Sequence, residues 1–194
     1  GSNIRNRSYH FKEGITWSTT SGSAFAGRKS PTGYLFDSKG CMAFSYGGIS
    51  LEKLLAQMNA VTFNSFLDII TPTLDFNPGP VGNVPIEEVN NNVSEELVIE
   101  NISASKDDWD SFENSWDFKK HPLLRNISTI SEAFAQWQAE CDDRFNKLKA
   151  NEEELNHIFI DIYGLQDELT PEVEDKDVTV RKADLQRDIK SLLS

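Results

Sequence analysis

The 194-residue sequence predicts an α+β chain: a small mixed unit with a hairpin and a helix over 3–86, an aromatic-rich strap over 87–126, and a long, coiled-coil-like helical arm over 127–194. Three observations predict it. β-prone runs punctuated by glycine and proline fill the start. Trp109, Phe112, Trp116 and Phe118 stud an otherwise acidic middle, and apolar residues recur at three- and four-residue steps from Ile127 onward.

The elements follow in order. Thr16-Trp17-Ser18-Thr19-Thr20 is β-prone, and Ser21-Gly22-Ser23 ends it. Ser30-Pro31-Thr32-Gly33 predicts a turn, Tyr34-Leu35-Phe36-Asp37 an extended run, Ser38-Lys39-Gly40 a second turn, and Cys41 to Tyr46 the other half of a hairpin. Ser50 caps a helix over 51–68 whose apolar side is Leu51, Leu54, Leu55, Met58, Val61 and Phe66, and Thr71-Pro72 stops it. The stretch 75–83 is too rich in proline and glycine for regular structure, and 87–121 reads as loop. Disordered linkers are poor in aromatics, so the strap is expected to lie on a folded surface.

Ile127, Ile130, Phe134, Trp137, Cys141, Phe145, Leu148, Leu155, Phe159 and Ile162 then predict a helix over 130–163, with Thr129 and Glu132 as a capping box and Gly164 as its stop. At 1.5 Å per residue it would be roughly 50 Å long. Val178-Thr179-Val180 is a strand candidate, and a last helix from Lys182 places Leu185, Ile189, Leu192 and Leu193 on one side. That side ends unaccounted for, so a piece of a longer chain is expected; Gly1-Ser2 has the look of a vector remnant and carries no weight.

Composition narrows the classes. The chain is 38% hydrophobic with 12 Phe and 4 Trp, enough for a core. It has no run of about 18 apolar residues for a membrane span and no basic-then-apolar leader at its start. Cys41 and Cys141 fit neither a disulfide framework nor zinc spacing, which makes a reducing, cytoplasmic home the default. The net charge of −12 is segregated: residues 1–86 hold seven Lys/Arg against five Asp/Glu, and 87–194 hold twelve against twenty-six. Phosphate binding depends on local field, so only the early part suits nucleic acid. There Arg5, Arg7, Lys12, Arg28, Lys29 and Lys39 face Glu13 and Asp37.

Candidate chemistry dissolves on inspection. Asn77-Pro78-Gly79-Pro80 lacks the second proline and the aromatic of a base-gripping methyltransferase loop, and no Gly-rich turn suits S-adenosylmethionine. Ser50-x-x-Lys53 matches an acyl-transfer nucleophile without its companion motifs. Glu153, His157 and Asp161 share a helical face that reads as solvated rather than as a metal site, and His10 and His121 have no partners at ligand spacing. No catalytic residue is therefore assigned. Between Ser21 and Lys39, hydroxyls alternate with glycine around Arg28-Lys29. Hydroxyls and lysines bind phosphates and arginine forks onto guanine, but a plain polar hairpin surface has the same composition.

Several short motifs carry a resemblance. Glu13-Gly14-Ile15-Thr16-Trp17-Ser18, Ser21-Gly22-Ser23-Ala24-Phe25, Pro31-Thr32-Gly33-Tyr34-Leu35-Phe36-Asp37, Val81-Gly82-Asn83-Val84-Pro85-Ile86, Ser115-Trp116-Asp117-Phe118 and Ile158-Phe159-Ile160-Asp161-Ile162-Tyr163-Gly164-Leu165 occur in order. The sequence resembles the C-terminal region of BREX-type, PglX-like adenine-specific methyltransferases, relatives of fused restriction–modification enzymes. The resemblance implies a parent that methylates adenine N6 in DNA with S-adenosylmethionine for phage defence, the catalytic domain and its cofactor lying outside this fragment. It implies target recognition here, with duplex DNA, the methyltransferase domain and other defence subunits as partners. The contact set rests on charge and local chemistry: Arg28 for a base, Lys29 and Lys39 for phosphates, and Ser21, Ser23 and Tyr34 shaping the surface. A protein-docking module in the same complex is the alternative, and it accounts better for the acidic half.

Overall fold

The computed structural model describes residues 6–73, 75–88 and 93–193, apart from the side chains of 93 and 191–193. Arg5, Leu74 and the side chains of Leu192 and Leu193 therefore lie outside the described residues. The chain is mixed, as expected: three short antiparallel strands, β1 (Gly14–Ser18), β2 (Arg28–Ser30) and β3 (Gly40–Ala43), accompany a 3-10 turn at Arg7–Tyr9 and six α-helices among the described residues. These are α1 (Leu51–Asn59), α2 (Val61–Ile70), α3 (Pro78–Gly82), α4 (Val93–Trp109), α5 (Ile130–Tyr163) and α6 (Leu185–Leu193). By packing, the chain divides into Gly1–Val98 with Leu155–Pro171, and Ile99–Glu154 with Glu172–Ser194.

In the first unit the strand order is β2-β1-β3. The expected hairpin between 34–37 and 41–46 is corrected: β3 pairs with β1, and the third strand is Arg28–Ser30. Residues 34–37 form no ladder because Asp37 folds back locally, its Oδ1 accepting the N–H groups of Lys39 (2.8 Å) and Gly40 (2.7 Å). Ile15, Trp17 and Cys41 are buried. Phe25 sits among Trp17, Phe63 and Phe76 at centroid distances of 5.7, 5.2 and 5.5 Å, and Trp17 Nε1 donates to the Phe76 carbonyl at 2.8 Å. Gly27 lies where an added Cβ would come within 3.0 Å of Ile15 and 3.4 Å of Leu55, so this crossing admits only glycine without displacement.

The helix expected over 51–68 is two, broken at Ala60, whose backbone is extended (ψ 152°). Apolar spacing continues across the break and hides it. The orphaned N–H of Val61 is satisfied from far along the chain, by Asn156 Oδ1 at 2.8 Å. Side-chain amides on these helices then hold passing backbone in paired bonds: Asn59 with Gly27, Asn64 with Phe25, and the buried Gln57 with Glu87. The stretch read as irregular contains α3, which starts on Pro78, where a missing N–H costs nothing.

Part of 87–121, read as loop, is the 17-residue helix α4. Its acids Glu95 and Glu96 stand in the first turn and Lys106 in the last, each favourable to the helix dipole. In the second unit the α5 stripe is covered by segments that precede and follow it in the chain. Leu123, Ala183 and Ile189 pack on Trp137 and Cys141; Ala104, Val173, Val178 and Val180 pack on Phe145 and Leu148. Helix α5 has the expected bounds, Thr129 Oγ1 accepting from Glu132 N–H (3.2 Å) and Gly164 turning with φ +68°. The 178–180 segment is not a strand: its valines alternate inward, but among the described residues no strand offers it a ladder. Helix α6 begins at Leu185 rather than Lys182 because Asp184 caps it, accepting Arg187 N–H at 2.7 Å. Leu185, expected inside, is exposed, and Asp188 is fully buried in its place, accepting from Trp137 Nε1 (3.0 Å), Arg187 Nε (2.7 Å) and Asp184 N–H (3.2 Å). Of the strap's aromatics, Phe112 and Phe118 are half-buried, while Trp109 and Trp116 face solvent.

Candidate nucleic-acid interface

Alternation along the sheet assigns a face to each early cation. Residues directly opposite in a ladder share a face, and successive residues alternate. Thr16 stands opposite both Arg28 and Met42, whereas Ile15 stands opposite Lys29 and Ala43. Since Ile15 is fully buried, Lys29 is on the core side of the sheet and Arg28 on the outer one. The neighbouring cations thus part company. Lys29 Nζ meets Glu52 Oε1 on α1 at 2.6 Å, and this hydrogen bond holds the Glu52 carboxyl below its usual range against the opposing effect of burial. Arg28 is exposed. Among the described residues, Arg7, Lys12, Arg28 and Lys39 form no ion pair.

The other sequence-derived candidates fall at two ends of β1. Thr19 N–H donates to the Lys39 carbonyl at 3.1 Å, and Ser18 stands opposite Gly40, so Lys39 follows the strand's last residues. Ser21 is two residues further on, its Oγ 3.0 Å from that of Ser23 and 3.2 Å from the Ser23 amide. These hydroxyls make a turn with each other. Tyr34 is at the opposite end, 60% exposed, with its carbonyl accepting the Phe11 N–H at 3.2 Å. A five-residue strand is roughly 15 Å long, about the rise of four base pairs.

An aromatic cluster beside this face was not assigned from sequence. Tyr9 packs on Phe44 (4.9 Å), Phe44 on Phe36 (5.6 Å) and Phe36 on His10 (5.7 Å), with Lys12 Nζ 5.3 Å from the Tyr9 centroid. Phe44 is two residues beyond Met42. The signal was present in Arg7-Ser8-Tyr9-His10-Phe11-Lys12, where rings interleave with cations.

The remaining titratable groups have structural duties. Ser50 accepts the Lys53 N–H at 3.2 Å and caps α1, and Lys53 Nζ lies 3.9 Å from Glu95. His157 and Asp161 are exposed and 3.4 Å apart. Among the described residues no three His, Cys, Asp or Glu side chains gather to hold a metal ion, and no helix is long and apolar enough to cross a membrane. Burial pushes the Cys141 thiol up to about 12. His121 Nδ1 accepts the Leu123 N–H at 3.3 Å, which leaves the neutral ring's proton on Nε2, buried without a partner among the described residues.

No family model matches the chain. It is 52% identical over 201 residues to the adenine-specific methyltransferase PglX of Lacticaseibacillus casei (strain Zhang), covering 98% of this chain and 17% of that protein. It is 34% identical over 170 residues to the adenine-specific methyltransferase BrxX of Escherichia coli O9:H4 (strain HS), covering 87% of this chain and 14% of that one. The chain therefore spans under a fifth of the length of these relatives, and the resemblance read from its motifs is borne out.

Proposed function

We propose, from a chain that corresponds to a segment of PglX-type adenine-specific methyltransferases, that this segment reads DNA sequence for the methyl transfer performed elsewhere in its parent. The parent would be an S-adenosylmethionine-dependent, cytoplasmic N6-adenine methyltransferase of phage defence. Methylating a base within a duplex requires turning it out of the stack, and flanking pairs must be held meanwhile. The observation that carries the reading is Arg28, an exposed guanidinium on the outer face of the sheet with no ion pair among the described residues.

In this reading Arg28 contacts a base, and Lys39 contacts phosphate, with Ser21, Ser23 and Tyr34 shaping the surface. Lys29, held by Glu52, orients the sheet on α1 and reaches phosphate only by exchanging partners. Along the sequence, this reading gives 3–86 to DNA, 87–126 to a strap and 127–194 to a helical arm, a functional division that differs from the division by packing. Arg28→Ala should relax sequence preference, with discrimination falling by about 1–3 kcal/mol at one position. Lys39→Ala should weaken all sequences alike and reduce the salt slope by about one. Competition gel shifts with the intact methyltransferase measure both; unchanged preference in Arg28→Ala removes the base contact.

A docking role is the second reading, favoured by exposed Trp109 and Trp116 within an acidic stretch that repels phosphate. Duplex titration of this chain at two salt concentrations separates the two, because a pure docking module has no salt-sensitive DNA affinity.

A further inference from the structure

Phe11 is a bulky residue in the left-handed backbone region, with φ +64°. Phenylalanine rarely adopts that conformation, because its Cβ crowds the backbone. Two bonds hold it there: Phe11 N–H donates to the Tyr34 carbonyl (3.2 Å), and Gly33 N–H donates to the Phe11 carbonyl (3.0 Å). The unfavourable geometry does not serve to bury the ring. Phe11 is 58% exposed, and Tyr34 and Leu35, on the segment bonded to it, are 60% and 62% exposed. Three large apolar side chains are thus presented to solvent at one pinned junction, the kind of apolar patch that marks an interaction surface.

Charge selects the occupant. Lys12 follows Phe11 directly, Arg7 lies four residues before it, and neither is ion-paired among the described residues. An apolar wedge flanked by available cations suits a polyanion with stacked, separable rings. We infer that Phe11, supported by Tyr34 and Leu35, is a wedge that enters a base step of duplex DNA held by Arg7, Lys12 and Arg28. Such wedges unstack a step and kink the duplex, and pyrimidine–purine steps yield most easily. The inference rests on the DNA-reading proposal and adds a deformation of the duplex to it.

The test uses this 194-residue chain and a duplex carrying 2-aminopurine in place of the adenine of a central TpA step. Wild type is expected to raise 2-aminopurine fluorescence severalfold on binding. Phe11→Gly relieves the backbone strain, so its melting temperature should be unchanged or higher and its salt slope unchanged, yet the fluorescence rise should vanish. If circular dichroism shows that Phe11→Gly has lost its fold, Phe11→Asn is used instead, since asparagine also tolerates this backbone region. Salt-sensitive binding without a fluorescence rise, or a full rise in either variant, overturns the wedge and leaves the DNA reading standing. No salt-sensitive binding by wild type overturns both.

Discussion

At the scale of single residues, the sheet sets the duties of neighbouring cations. Lys29 is half-buried against Glu52, so its charge is already matched. Replacing it with methionine should leave the salt dependence of DNA binding unchanged and cost about 1 kcal/mol at neutral pH, the scale of a partly exposed ion pair. The Glu52 carboxyl is held below its usual value of 4.5 by Lys29. Its contribution is present above that value and lost as pH falls through the lowered one, so Lys29→Met should show a shallower loss of melting temperature on acidification. His121 gives a second pH dependence with its own window. Burial lowers its pKa from 6.5, and protonation at Nδ1 would also break the bond from Leu123 N–H. A base with a lowered folded pKa stabilises above its unfolded value and loses that stability as pH falls. His121→Phe should therefore flatten the melting-temperature profile below about pH 6.5; an unchanged profile would remove His121 as the cause.

At the scale of elements, the α1–α2 corner depends on borrowed hydrogen bonds. The buried Asn156 supplies an acceptor to Val61 N–H and a donor to the Pro171 carbonyl (3.1 Å). Removing both in Asn156→Ala should destabilise the chain by about 1–3 kcal/mol, the cost of leaving half-buried backbone groups unpaired, measured by urea unfolding. A loss below a few tenths would mean that water replaces the asparagine. The amides of Asn59, Asn64 and Gln57 work alike, each exchanging paired bonds with a backbone stretch that has no strand partner there. Asn59 and Asn64 thereby hold Phe25 and Gly27, immediately before β2, and so set where Arg28 stands.

At the scale of the whole chain, a pI near 4.7 and DNA binding are compatible only if charge is segregated. Four cations of the first unit, Arg7, Lys12, Arg28 and Lys39, have no ion pair among the described residues. If two to four of them displace counterions from phosphate, log K against log[salt] should have a slope of roughly −2 to −4. A slope near zero in a gel-shift series from low to physiological salt would contradict the DNA role. A much steeper slope would require cations beyond these four.

The sequence by itself determined the mixed class, the bounds of the 34-residue helix α5, its cap and its glycine stop, because periodicity and capping act within a few residues. Its motifs also determined the family resemblance. Only the tertiary structure decided what depends on distant partners. The run 51–68 breaks at Ala60 because Asn156 can satisfy the exposed amide, and β3 pairs with β1 rather than with 34–37 because Asp37 turns locally. Arg28 and Lys29, adjacent in sequence and alike in charge, separate because a strand sends successive side chains to opposite faces, and only the ladder to the buried Ile15 says which face is the core.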